Sequence, residues 1–203
     1  MNKPLACLVV ALLTVGNSMA FAASTVDLTV KGLIIPSACT PTLSSNTVDH
    51  GKVSAKDLNQ AIQTRLNDAR LSLNITCDAK TVFALKGTDN RAGSATDTTS
   101  YGLGLINGNQ KLGNFWLVFA NSVADTVNVE ALESQDGGDT WEPLFDATPR
   151  VTSLVGFGDI APIAIEQLDT EMTVSTAIAP ANGLDLSDEV QIDGSATLEV
   201  NYL

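Results

Sequence analysis

The chain runs to 203 residues and carries 23 acidic side chains against 11 Lys and Arg, a formal net charge of −12. A surface this acidic repels nucleic acid and the anionic head groups of lipids, so neither is expected as a partner. With one histidine and three cysteines the sequence holds no zinc, phosphate-loop or dinucleotide signature, and no cofactor or metal is expected.

The first 22 residues have the form of a secretory signal. Lys3 supplies the charged start, residues 5–15 form an apolar run, and the small residues of "AFA" (20–22) stand at the cleavage position. That run of about eleven residues is short against the ~20 that a bilayer-spanning helix needs, so export without membrane insertion is expected. Residues 23–36 then alternate, with Val26, Leu28, Val30, Gly32 and Ile34 on one face and Thr25, Asp27, Thr29 and Lys31 on the other. The start of a mature chain is normally frayed, but this one is patterned as a core strand. Pro36, which lacks a backbone N–H, separates the arm from a single domain spanning 37–203.

Helix signals are sparse. Leu58, Ala61, Ile62 and Leu66 have helix-like spacing, enough for one or two turns in a connection. From there the period is two. "RLSLNITC" sets Leu71, Leu73, Ile75 and Cys77 on one face, and "TVFALKG" sets Val82, Ala84 and Lys86 against Phe83 and Leu85. The long polar connection 87–113 holds a poor strand around 101–106. "NFWLVFA" (114–120) reads as a strand covered on both sides. "DTVNVEALES" and "PIAIEQL" alternate again, and the chain closes on "GSATLEVNYL", with Ala196, Leu198, Val200 and Tyr202 on one face. Short strands parted by polar turns predict an all-β sandwich with a surplus leading strand and a closing strand that lacks a neighbour. Cys39 and Cys77, an even pair in an oxidising compartment, read as a disulfide.

Motifs that suggest chemistry are weak. "SQDGGDTW" (134–141) fits the repeat S-x-D-x-G-x-T-W of β-propeller proteins, but one copy cannot build a propeller. It reads as a tight turn, with positive φ at Gly137 and Gly138 and with Trp141 packed on the hairpin; a sugar-stacking face on Trp141 is the lesser alternative. His50 reads as a surface turn residue, no G-x-S-x-G elbow accompanies it, and Asp136 and Asp139 suit a turn as well as an acid–base pair. No catalytic residues and no enzyme activity are expected.

Three features in this order carry a family resemblance. They are the arm with Gly32 ahead of "ACT" (Ala38, Cys39), the second cysteine about 40 residues on in "LSLNITC", and the closing strand with its penultimate Tyr202. Together they resemble the subunits of chaperone–usher fimbriae, surface fibres of Gram-negative bacteria. The ending "IDGSATLEVNYL" is also similar to a fimbrial-like group of enterobacteria and pseudomonads of unknown function. The resemblance implies an incomplete immunoglobulin-like β-sandwich of the pilin type, short of its seventh strand. A periplasmic chaperone lends that strand, and at an outer-membrane usher it is exchanged for the arm of the next subunit. Carried onto this chain, Val26, Leu28, Val30, Gly32 and Ile34 form the donor strand. Ala196, Leu198, Val200 and Tyr202 line the acceptor groove, the carboxylate of Leu203 is held by the chaperone, and Cys39–Cys77 joins the first two strands. The expectation is a structural subunit in cell adhesion, in the periplasm in transit and then in a fimbria at the cell surface, with chaperone, usher and neighbouring subunits as partners. The alternative is a free-standing secreted β-sandwich that binds a carbohydrate or protein ligand.

Overall fold

The computed structural model describes Thr29 and residues 38–144 and 148–203. The expected signal and the donor residues Val26, Leu28, Val30, Gly32 and Ile34 lie outside the described residues. The chain divides into Met1–Ile34 and a body from Ile35 to Leu203, and the following concerns that body.

The strands in chain order are β1 (Cys39–Leu43), β2 (Thr64–Arg65), β3 (Ala69–Asp89), β4 (Tyr101–Gly102), β5 (Leu105–Ile106), β6 (Gln110–Lys111) and β7 (Gly113–Ala124). They continue with β8 (Val127–Asn128), β9 (Glu130–Ser134), β10 (Glu142–Pro143), β11 (Leu154–Gly158), β12 (Ala164–Ile178) and β13 (Ala196–Tyr202). Every pairing between them is antiparallel.

The long strand β3 organises the rest. Its first half lies between β1 and β12, with Leu73 opposite Leu43 on one side and Thr170 on the other. Residues 77–80 then bulge out against Glu166 alone, since Thr76 pairs with Gln167 and Thr81 with Ile165. A bulge bends the strand that carries it and increases its twist. Beyond the bend, β3 pairs with β13 and β11 instead. The sheet therefore curls into two limbs, one ordered β1–β3–β12–β7 and the other β13–β3–β11–β9–β10. Phe119 of β7 meets Phe157 of β11 edge-on, ring centroids 6.3 Å apart, so the two limbs face each other across one core. Leu73, Ile75, Phe83, Leu85, Leu168 and Phe157 are buried in it. The fold is all-β and immunoglobulin-like, as the sequence predicts.

Several local readings change. "RLSLNITC" and "TVFALKG" are one bent strand, because the bulge at 77–80 turns the chain without breaking it. Phe83, Ala84 and Leu85 are all buried, since both faces are covered just past the bend. "NFWLVFA" is covered on one side only. Phe115, Leu117 and Phe119 enter the core, while Trp116, Val118 and Ala120 are half-buried on the outer face, where the Arg65 guanidinium stands 4.7 Å above the Trp116 ring. The helix-like segment reduces to one 3-10 turn, Ala55–Asp57.

The long connection contains three two-residue strands and a buried anchor. Tyr101 stacks on Phe115 at 5.0 Å. Burial, with the charge of Asp89 adding to it, pushes the Tyr101 phenol up to about 12. A Cβ on Gly87 would meet the Tyr101 hydroxyl at 1.9 Å, so only glycine admits the ring.

Cys39 and Cys77 sit directly opposite in the β1–β3 ladder and are joined by a disulfide across a separation of 38 residues. Closing such a loop stabilises by about 4 kcal/mol in the chain-entropy model. Replacing both cysteines by alanine is expected to lower the unfolding free energy by about that much, read from urea denaturation; an unchanged midpoint contradicts the assignment.

Candidate functional site: an open strand edge above an apolar groove

The feature that sets this body apart lies between its two outermost strands on the β1 side. β13 pairs with β3 along one edge. Ser195 O accepts from Asn90 N and Leu203 N donates to Val82 O, so odd-numbered residues of β13 bond inward to β3. By antiparallel alternation, the N–H and C=O groups of Ala196, Leu198, Val200 and Tyr202 point away from it. Among the described residues no strand pairs with that outer edge.

β1 forms the opposite bank. Ala38 O accepts from Asp78 N and Ser44 N donates to Ser72 O, which leaves the backbones of Cys39, Pro41 and Leu43 facing outward. Pro41 has no N–H to offer, a usual property of an edge strand. The outward N–H of Cys39 donates to the Tyr202 hydroxyl at 2.9 Å. One phenol thus joins the two banks at the end where β3 bends.

Away from that bridge the banks part over a groove of about 900 Å³. Its floor is core: Leu73, Leu103, Phe115, Leu117, Met172 and Val174 are all buried. Its rims include Pro41 and Leu43 on one side and Ala196 and Leu198 on the other. Of the residues assigned to the acceptor groove from sequence, Ala196 and Leu198 line it, Val200 packs half-buried against the core, and Tyr202 supplies the bridge. Leu203 is half exposed beyond the bridge. The floor residues Met172 and Val174 escaped the sequence reading, although "LDTEMTVSTAI" alternates as strictly as the segments that were singled out. His50 lies in the segment at the open end, half-buried, its Nε2 3.0 Å from Thr176 Oγ1. It is therefore not the free turn residue expected, because the segment 44–53 folds over the strand ends.

The hairpin at 134–141 is held by its own side chains. Asp136 accepts from Ser134 Oγ at 2.7 Å, from Thr140 N at 3.0 Å and from Thr140 Oγ1 at 2.5 Å. Gly137 and Gly138 have φ of 84° and 106°, as a tight turn here requires. Trp141 donates Nε1–H to Gly138 O, and its ring is so close to Gly156 that a Cβ there would lie 2.9 Å away. The indole thus packs on the sheet. Among the described residues no three His, Cys, Asp or Glu side chains are grouped to hold a metal ion.

Fold and groove together define an immunoglobulin-like domain with one strand edge open beside a groove floored by apolar core residues. Comparison with known proteins adds two kinds of likeness. The family model "Protein of unknown function (DUF1120)" matches residues 28–114, which take in part of the arm and the body from β1 through β6 to the first residues of β7. The chain is similar to Protein GltF of Escherichia coli strain K12, 25% identical over an alignment covering 92% of each chain. It is likewise similar to Uncharacterized protein YhcF of the same strain, 26% identical over 90% of this chain and 92% of the relative.

Two predictions follow the geometry. Tyr202→Phe removes the acceptor for a half-buried N–H and is expected to cost about 1 kcal/mol in urea denaturation; no loss means that the bridge is idle. The Thr140 hydroxyl and amide and the Ser134 hydroxyl hold the Asp136 carboxyl well below the usual range. A carboxyl with a lowered folded pKa stabilises above its unfolded value of about 3.9, and that contribution is lost as pH falls toward the folded value. Asp136→Asn is therefore expected to melt below the wild type at pH 7, with the gap closing under pH 4. A gap that does not depend on pH contradicts a role for the charge.

Proposed function

We propose that this chain is a structural subunit of a bacterial surface fimbria, in which the 23–36 arm of one copy fills the groove of the next. The observation that carries the reading is the outward-facing backbone of β13 beside an apolar-floored groove, in a chain whose leading segment is patterned as a core strand. Inserted there, the arm would satisfy the row of N–H and C=O groups along β13 and cover the groove floor.

Magnitudes favour a decisive role. Val26, Leu28, Val30 and Ile34 buried at ~1.5–3 kcal/mol each give about 6–12 kcal/mol. A whole domain is stable by only ~5–15 kcal/mol. The filling strand thus separates a durable sandwich from a marginal one. Until a neighbour's arm arrives, a periplasmic chaperone occupies the groove, and an outer-membrane usher is the place of exchange. Donation from chain to chain is heterologous and does not close, so its product is a fibre.

The test uses the chain from residue 23 onward. It is expected to polymerise, and an excess of a peptide copying residues 26–34 is expected to cap it as a monomer with a raised melting temperature. Leu28→Asp in the chain is expected to stop polymerisation while the groove still takes up the wild-type peptide. A chain that remains monomeric and melts identically with and without the peptide refutes the reading.

A further inference from the structure

The exposed large apolar side chains are not spread over the surface. Val127, Ile160, Ile163 and Leu203 are exposed by 62%, 83%, 44% and 50%. All four stand at the end where β3 bends. Leu203 N bonds to Val82 O just past the bend, and Val82 pairs with Ala164, the neighbour of Ile163. Lys80 in the bulge pairs with Asp125 at 3.1 Å, two residues from Val127. Ile160 lies in the turn that brings Pro162 back to Gly158.

The remaining exposed large apolar residues among those described are Leu43, Val53, Ile62, Leu105 and Ile192. Of these, Leu43, Leu105 and Ile192 gather at the opposite end, around the mouth of the groove. Leu43 and Ile192 line the groove or adjoin its opening, Asp193 N bonds to Leu103 O beside Leu105, and the segment holding Ile62 bonds to the turn after β12. Scattered exposed apolar residues need no explanation, but their collection at two opposite ends does.

Ala38, the residue from which the described body runs on, lies at the bend end, because it is bonded to Asp78 through both its N–H and its C=O. Antiparallel pairing with β13, the more stable arrangement, makes an inserted strand run from the Tyr202 end to the Ala196 end. Its last residue, Ile34, then emerges at the mouth. Only residues 35–37 separate Ile34 from Ala38, a tether of at most ~14 Å. The bend end of the donor is thereby held against the mouth of the acceptor.

We propose that the bend end of one copy, through Ile160, Ile163 and Leu203, packs on the groove mouth of the next copy, through Leu43, Leu105 and Ile192, as a second apolar interface alongside the inserted arm. The inference rests on the reading of the groove given above. Two chains of the same negative charge repel, so contact at these ends supplies an attraction that the arm alone does not.

The test is a chain from residue 23 carrying Ile160→Ser and Ile163→Ser, both exposed positions, with Leu105→Ser as the matching change at the mouth. Each variant is expected to take up the 26–34 peptide with the wild-type rise in melting temperature. Each is expected to polymerise about tenfold more slowly, followed by light scattering, into fibres that bend more in electron micrographs. Growth and stiffness equal to wild type, with normal peptide uptake, overturn the second interface and leave the groove reading standing. Failure of every chain to take up the peptide overturns both.

Discussion

β1 and β13 are both hydrogen-bonded to β3, but to different halves of it, on either side of the bulge at 77–80. Neither strand pairs with the other. Among the described residues, what spans the interval is a hydrogen bond from Cys39 N–H to the Tyr202 hydroxyl. Because the bend throws the two halves of β3 into facing limbs, the two outer strands diverge from that bridge and leave an apolar-floored groove between them. The groove is thus a consequence of how one strand turns a corner, and the disulfide at Cys39–Cys77 fixes that corner in place.

A divergence of this kind is costly to leave open. Backbone groups on an exposed edge invite another strand, and natural sheets usually blunt such edges with charge, proline or a covering loop. β1 follows that practice with Pro41. β13 does not, since its outward residues Ala196, Leu198, Val200 and Tyr202 carry no charge and no proline. The contrast between the two banks leaves β13 as the edge open to a further strand, the place that the proposed function gives to the leading arm of another copy.

Much of this was legible in the sequence. Period-two alternation located both halves of β3, the start of β12 and β13, and the cysteine pair was placed correctly because oxidised pairs in exported chains are commonly joined. The bend in β3 was not legible, since "CDAKT" reads like any polar turn and nothing local says that pairing resumes on the same strand with new partners. The one-sided cover of "NFWLVFA" was hidden for a related reason. Trp116 is apolar by composition yet sits outside, where Arg65 covers its face. The groove floor draws on β3, β7 and β12 and on Leu103 in the long connection, an assembly that only the curl of the sheet brings together.

Under the proposed function the phenol at the closed end would also act as a gauge. A guest strand advancing along β13 from the mouth can travel only until it reaches the Tyr202 ring, where the banks are already tied. Slippage by one residue would turn every apolar side chain of the guest toward water, and overshoot by two would drive it into the ring. In the proposed fibre Tyr202 would thus set how far the guest goes, and through that how closely successive units are spaced.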